Sequence, residues 1–174
     1  MEKYGYRFSF GPWNIHEGAD PFGPTVRASV VFDKKVEILK SLGYDAMQFH
    51  DDDVVPGLDK LSAAEISKQA RAIRKKLEDN GLVAEFVAPR LWESANTVDG
   101  ADTANDPTMR QYAIDRSKKA ADIAQGVGCD LMVLWLAREG TYMREAKDAA
   151  QATHHLLEAV NTLLNYDKKL RIAI

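Results

Sequence analysis

The segment QFHDDDVVPG, residues 48–57, places one histidine and three consecutive aspartates directly before a Pro-Gly turn. Asp53 follows His50 by three residues, so a turn brings its carboxylate within reach of the imidazole. A carboxylate bonded to one ring nitrogen fixes the tautomer and raises the basicity of the other nitrogen, which suits a proton shuttle near neutral pH. A plain turn cluster is the alternative, and the residues alone leave both interpretations open.

The other acidic residues near this segment have simpler expected roles. Asp51 and Asp52 are expected to cap or solvate the turn before Pro56. A metal site in HDDD is disfavoured, because three adjacent aspartates cannot all point at one ion and hard cations gather oxygen ligands from several segments. Glu139, in the segment REG, is expected to pair with a neighbouring cation.

All three tryptophans of the chain, Trp13, Trp92 and Trp135, follow or end apolar runs of strand length. Each one alone is typical of a core aromatic residue. Their shared position at strand ends instead favours flat aromatic walls that hold the apolar faces of a sugar or a similar polyol. An apolar pocket with a few placed polar groups is the general design of small-ligand sites.

The elements that position these residues are predicted from a recurring pattern, in which a polar helix end leads into a short apolar run. Five strands are expected, with starts near residues 7, 46, 83, 131 and 170. The segments between them are too long for hairpin loops and have helical periodicity. Strands and helices therefore alternate along the chain.

Capping residues mark the predicted helices. Ser62 begins a capping box, and Asp106 caps the first turn of a later helix that ends at Gly126 or Gly128. Two more helices are predicted over residues 32–43 and 143–166. The last of these is expected to bury Leu156, Val160, Leu163 and Leu164.

Alternating strands and helices require parallel strands, because each connection carries a helix back across the sheet. No G-x-G-x-x-G loop follows the first strand, which favours part of a (β/α)₈ barrel over a doubly wound sheet. The predicted fold class is α/β, a parallel (βα)₄β half of a TIM barrel, with residues 1–174 as one domain. A closed barrel typically needs about 250 residues. The open first and fifth strands predict self-association or a complementing C-terminal half barrel.

Composition excludes several classes of protein. A formal net charge of -3 with dispersed basic residues argues against a nucleic-acid partner. No stretch approaches the roughly 18 apolar residues of a membrane span, and the start has no signal-peptide core, so a cytoplasmic location is expected. The single cysteine, Cys129, excludes an internal disulfide and a thiolate-based metal site.

The segments RFSFGPW, DPFG, FHDDDVVP, TAND, REG and LRIAI follow one another in an order that resembles the metal-dependent xylose isomerases, sugar isomerases with a (β/α)₈ barrel. The resemblance covers essentially the whole chain and corresponds to the N-terminal half of that barrel. It implies that His50 moves a proton between a sugar hydroxyl and the ring oxygen to open the ring, and that Asp53 orients His50.

The resemblance also implies roles for four aromatic residues. Trp13 and Trp135 match tryptophans that flank the bound sugar, and Trp92 stands where the family usually has phenylalanine. Phe22, in DPFG, matches an aromatic residue that reaches into the site of a neighbouring subunit. A homo-oligomer, commonly a tetramer in the family, is therefore expected.

The chain departs from the family beside the pocket. Arg90-Leu91-Trp92 replaces the usual Asn-Leu-Phe, Ala88 replaces threonine, and Leu136-Ala137 replaces two glycines. These differences leave room for an aldose or ketose related to D-xylose as the substrate.

The family drives its hydride shift with two divalent ions, Mg²⁺, Mn²⁺ or Co²⁺, whose ligands are expected beyond Ile174. The 174 residues alone are therefore expected to lack isomerase activity. Two alternatives remain: a non-catalytic half-barrel scaffold that self-associates, and a sugar-binding or sugar-phosphate lyase relative of the same barrel.

Overall fold

Five parallel strands form one sheet in the computed structural model, which describes residues 5–16, 18 and 25–174. The strands are β1 (Ser9–Phe10), β2 (Ala46–His50), β3 (Val83–Ala88), β4 (Leu131–Val133) and β5 (Arg171–Ala173). Each begins at or close to its predicted position. The strand order is β1-β2-β3-β4-β5, and every neighbouring pair is parallel.

The helices are α1 (Phe32–Ser41), α2 (Asp51–Val54), α3 (Ala63–Asp79), α4 (Pro107–Val127) and α5 (Ala149–Tyr166). The caps predicted for α3 and α4 are present, since Ser62 accepts a hydrogen bond from the Glu65 backbone and Asp106 accepts one from Thr108. The single turn α2 was not predicted. Helix α5 begins later than expected, because Asp148 caps it and residues 144–146 form a separate 3₁₀ turn.

The sheet order identifies the architecture. Strands that are neighbours in sequence are also neighbours in space, as in a barrel, whereas a doubly wound sheet reverses its order at a switch point. β1 and β5 form the two edges of an open sheet. The predicted half of a TIM barrel is therefore confirmed.

One face of the sheet packs against the helices and forms the main core. Met47 and Phe49 of β2, Val87 of β3 and Met132 of β4 are fully buried there. The helices contribute Ile66, Ala70 and Leu77 from α3 and Ala120, Ile123 and Ala124 from α4. Because side chains alternate along a strand, the residues between these core positions project from the opposite face.

That opposite face carries polar side chains. Gln48 Nε2 donates to Ser9 Oγ over 2.7 Å and to Glu85 Oε2 over 3.0 Å, and the Ser9 hydroxyl also bonds Glu85. These contacts join β1, β2 and β3 below the strand ends. Side-chain hydrogen bonds thus connect these three strands in addition to the backbone hydrogen bonds of the sheet.

The structure decides between the two glycines proposed as the end of α4. Gly128 has φ 87°, the left-handed conformation of a helix C-cap, and its N–H bonds the carbonyls of Ala124 and Gln125. Gly126 is inside α4, where it faces Ala70 of α3. The predicted burial of Leu164 is wrong, because that side chain is 37% exposed while Leu163 beside it is fully buried.

The helices of the described residues, 5–16, 18 and 25–174, include none with the length and apolar character needed to span a bilayer.

Candidate functional site

A cavity of about 410 Å³ lies at the C-terminal ends of the strands. Its lining side chains are Trp13, Gln48, His50, Phe86, Ala88, Arg90, Trp92, Val133 and Trp135. The fold therefore brings His50 and the three tryptophans singled out in the sequence to one place. Phe22, the other predicted substrate-binding residue, lies outside the described residues.

The aromatic side chains of the cavity form a continuous series around the histidine. The ring centroids of Trp13 and His50 are 4.2 Å apart, with an interplanar angle of 35°. Those of His50 and Trp92 are 5.1 Å apart in an edge-on arrangement, and Trp92 lies 6.2 Å from Trp135. The His50 imidazole is thus held between two indoles, while Trp135 is 65% exposed at the outer side.

Residues His50 and Asp53 meet because β2 ends at His50 and α2 begins with the next residue. Asp53 Oδ2 accepts a hydrogen bond from the His50 backbone N–H over 2.9 Å and lies 3.1 Å from His50 Nδ1. Burial by itself raises the pKa of Asp53, but its contacts with the His50 side chain and backbone and the nearby Arg90 charge outweigh it and lower that pKa. Asp53 is therefore a carboxylate at neutral pH, in contact with the imidazole.

Arg90, the second residue after β3, adds a contact that the sequence did not predict. Its Nε donates to Asp52 Oδ1 over 2.9 Å, and its Nη1 donates to Glu93 Oε1 over 3.3 Å. Its Nη2 lies 2.7 Å from His50 Nδ1 and 3.4 Å from Asp53 Oδ1. All three guanidinium nitrogens are thus engaged within the acidic cluster. In the sequence, this contact was signalled by an arginine at a position where the xylose isomerases usually have asparagine.

The expectation that Asp51 solvates the turn is wrong. Its side chain is fully buried and accepts two hydrogen bonds from Arg116 of α4, from Nε over 2.5 Å and from Nη2 over 3.0 Å. It also accepts the Arg90 backbone N–H over 3.1 Å. Burial raises the pKa of Asp51, and the Arg116 bonds oppose that rise. The signal in the sequence was an arginine within the small-residue face of α4 formed by Ala113, Ser117 and Ala120.

Glu139 is held by backbone N–H groups, and within residues 5–16, 18 and 25–174 it forms no ion pair with the neighbouring cation that was expected. Its carboxylate accepts the N–H of Ala101 over 3.1 Å, that of Asp102 over 2.9 Å and that of Thr103 over 2.9 Å. The Thr103 hydroxyl bonds it as well. This contact joins the REG and TAND segments, so the loop after β4 is attached to the loop that precedes α4.

Asp102, which the sequence analysis did not single out, is buried beside this contact. Neither of its carboxylate oxygens has a hydrogen-bond partner among the described residues. Burial, and next the charge of Glu139, raise its pKa to about 7. The group is therefore partly protonated at neutral pH.

The described residues do not fit a metal centre. Within residues 5–16, 18 and 25–174, no group of three His, Cys, Asp or Glu side chains is placed to hold an ion. Asp51, Asp52 and Asp53 are engaged by guanidinium groups, and Glu139 is engaged by N–H groups.

A family model described as a xylose isomerase-like TIM barrel matches residues 36–174. Among solved structures, a protein of Anabaena variabilis assigned as a sugar phosphate isomerase/epimerase is similar, with a TM-score of 0.65 and 17% identity. That likeness covers 97% of this chain and 54% of the other.

Two other solved structures are similar over nearly the whole chain. D-allulose 3-epimerase from a Methylomonas species has a TM-score of 0.58 and 16% identity, over 95% of this chain and 50% of its own. A xylose isomerase domain protein from Alicyclobacillus acidocaldarius has a TM-score of 0.58 and 11% identity, over 96% and 48%. The chain thus spans about half the length of these structures. At such identities the likeness shows a common fold.

Proposed function

The chain belongs to the xylose isomerase-like TIM barrel family, and we propose that it forms the sugar-binding and ring-opening side of a site that interconverts an aldose and a ketose. The observation that carries this proposal is the His50 imidazole, which contacts Asp53 and is held between Trp13 and Trp92 at the cavity. Active sites of this fold lie at the C-terminal ends of the strands, and an apolar, aromatic pocket with a few placed polar groups is typical of small-ligand sites.

The proposed reaction begins with a cyclic sugar whose apolar face lies against the indole rings. His50 Nδ1 is occupied by Asp53 and Arg90, so Nε2 is the ring nitrogen available to the sugar. In ring opening, the bond between the anomeric carbon and the ring oxygen breaks. The ring oxygen gains a proton from Nε2, and the anomeric hydroxyl returns its proton to Nε2. The product is an open-chain aldehyde, and the imidazole ends in its starting form.

The hydrogen shift that converts aldose to ketose requires groups other than those described. The xylose isomerase resemblance implies Mg²⁺, Mn²⁺ or Co²⁺, which would polarise the carbonyl group when bound. We propose that their ligands lie outside the described residues, since these contain no suitable group of three. The described residues account for sugar binding and ring opening, and the rest of the complete site supplies the shift.

We keep two candidates for the overall reaction. Aldose–ketose isomerisation of D-xylose or a related sugar is the first, because the His50 and Asp53 contact suits ring opening. Epimerisation of a ketose at carbon 3 is the second, because structures with the same fold include a D-allulose 3-epimerase. The alternative of a non-catalytic scaffold predicts neither reaction and no ring opening.

Ring opening can be tested without a metal, because it interconverts the two anomers of an aldose. We expect the protein to accelerate mutarotation of α-D-xylose or α-D-glucose, followed by polarimetry. His50→Asn should lose this acceleration. His154→Asn is the matched control, since His154 is exposed on α5 and pairs with Glu158. A wild-type rate equal to that of buffer, or an active His50→Asn variant, contradicts the proposal.

The complete reaction needs a separate assay. We expect no aldose–ketose conversion by these 174 residues with Mg²⁺, Mn²⁺ or Co²⁺, because the proposed metal ligands are not among the described residues. Robust metal-dependent conversion would contradict that expectation. Incubating the complete protein with D-xylose and with D-fructose distinguishes the candidates, since an isomerase forms D-xylulose from the first and a 3-epimerase forms D-allulose from the second.

A further inference from the structure

Two groups of opposite chemistry contact the same nitrogen of His50. Arg90 Nη2 lies 2.7 Å from Nδ1, and Asp53 Oδ2 lies 3.1 Å from it. A guanidinium group only donates hydrogen bonds and stays charged in proteins, whereas a carboxylate only accepts them. Nδ1 carries either a proton or a lone pair, so it serves only one of these neighbours at a time.

The surroundings of Arg90 and Asp53 indicate which neighbour Nδ1 serves. Arg90 is fixed by its bonds to Asp52 and Glu93, so its Nη2 cannot turn away without breaking them. A proton on Nδ1 would face the N–H of Arg90 across 2.7 Å, so two donors would oppose each other at the shorter of the two contacts, although Asp53 could accept that proton at 3.1 Å. Asp53 does not depend on an imidazole proton, because its Oδ2 already accepts the His50 backbone N–H over 2.9 Å.

We infer that Arg90 is a positioning residue that holds His50 as the neutral tautomer, with Nδ1 bare and the proton on Nε2. Asp53 then fixes the backbone at the start of α2 and balances the Arg90 charge, and it does not select the tautomer. This assignment reverses the expectation that Asp53 orients His50 through the ring proton.

The tautomer sets the order of proton transfer, and this consequence rests on the proposed function. In the resting protein the nitrogen available to the sugar is a hydrogen-bond donor. It bonds the ring oxygen of the sugar, an acceptor, before the anomeric hydroxyl gives up its proton. Without Arg90 the same nitrogen would be an acceptor and would bond the hydroxyl first.

Nitrogen NMR of the protein labelled with ¹⁵N-histidine tests the tautomer directly. The chain has four histidines, and the His50 signals are identified by their loss in His50→Asn. At a pH where the ring is neutral, we expect the shift of an unprotonated nitrogen at Nδ1 and of a protonated nitrogen at Nε2. A protonated Nδ1 in the wild-type protein overturns the inference.

Three variants separate the two neighbours. Arg90→Met should exchange the two shifts, since Nδ1 then donates to Asp53. Asp53→Asn should leave the proton on Nε2, and a transfer to Nδ1 in that variant contradicts the inference. Arg74→Met is the matched control, because Arg74 pairs with Glu78 on α3 outside the cavity. Unchanged shifts in a folded Arg90→Met protein also overturn the inference, and if that variant does not fold, the wild-type and Asp53→Asn spectra decide.

This measurement needs no sugar turnover, so its result is separate from that of the mutarotation assay. Loss of the proposed function would leave the tautomer assignment standing. If the protein accelerates mutarotation but Nδ1 is protonated, the proposed ring opening is supported and the role of Arg90 in holding the tautomer is contradicted.

Discussion

Two buried carboxylates, Asp51 directly after β2 and Asp102 in the loop between β3 and α4, have opposite environments. Asp51 is bonded by two nitrogens of Arg116, whereas Asp102 has no hydrogen-bond partner among the described residues. Removing a charge from water costs several kcal/mol unless it is paired and hydrogen-bonded. At the residue scale, the first group therefore requires its partner, and the second is stabilised in the folded protein by a proton.

Arg116→Met should destabilise the protein strongly, because it leaves the Asp51 carboxylate buried without its ion pair. Breaking a buried pair by removing one partner costs about 3–5 kcal/mol. Urea unfolding measures the loss, and Lys75→Met, which removes an exposed pair with Asp79, is the control with a change within about 0.5 kcal/mol. Asp51→Asn combined with Arg116→Met should recover much of the stability, and an equal loss in the double variant would refute this explanation.

Asp102→Asn should stabilise the protein in a pH-dependent manner. The folded-state pKa of Asp102, about 7, lies above the ordinary value of 3.8, so the folded protein binds the proton more tightly than the unfolded chain. The contribution of Asp102 to stability is then most favourable below about pH 4, falls between about pH 4 and 7, and is least favourable above pH 7. The difference between these two pKa values corresponds to a change of up to about 4 kcal/mol in the free energy of unfolding. Unfolding curves should show the gain of the variant at about pH 8 and little gain at about pH 4, and an equal gain at both would contradict the assignment.

At the scale of elements, α3 and α4 approach each other closely because of a glycine. A Cβ built on Gly126 would lie 2.5 Å from the Cβ of Ala70, closer than such atoms come. Glycine inside a helix is unfavourable by about 1 kcal/mol relative to alanine. The close packing of the two helices against the sheet explains why a poor helix former occupies this position.

Gly126→Ala should destabilise the protein even though alanine is the better helix former. The gain in helix propensity is about 1 kcal/mol, whereas overpacking a tight contact costs about 1–3 kcal/mol. Thermal or urea unfolding measures the net loss. Ala70→Gly combined with Gly126→Ala should return close to wild type, because the clash is removed and the two propensity changes cancel. A stabilised single variant would contradict the packing role.

At the scale of the whole molecule, the open sheet has two edges, β1 and β5. One face of the sheet packs against the helices, and the other face lines the cavity. Trp135 at the cavity and Ile174 after β5 are largely exposed. Open edges and exposed apolar residues favour pairing with further strands. A second copy of the chain and a complementing half barrel are the two occupants that the sequence analysis proposed.

We predict that the purified chain self-associates. Light scattering should give a mass that is a multiple of 19.4 kDa. Ala173→Lys, which places a charge on the exposed edge strand β5, should weaken the association, while Lys75→Met on the surface of α3 should leave it unchanged. A stable monomer with full secondary structure would argue against pairing through the edges.

Local signals in the sequence determined the order and type of the elements. The caps at Ser62 and Asp106 and the strand starts follow from neighbouring residues, so they were predictable. The placement of His50 at a strand end also followed, because the apolar run stops there.

Only the tertiary structure decided which charges distant in the sequence meet. Arg116 reaches Asp51 across 65 residues of sequence, and Arg90 reaches His50 across 40. Such contacts depend on how α4 and β3 pack beside β2, so the sequence marks each arginine as unusual but does not identify its partner. Burial decided the state of each aspartate. An aspartate in water is an ordinary solvated turn residue, whereas the buried Asp51 requires an ion-pair partner and the buried Asp102 binds a proton.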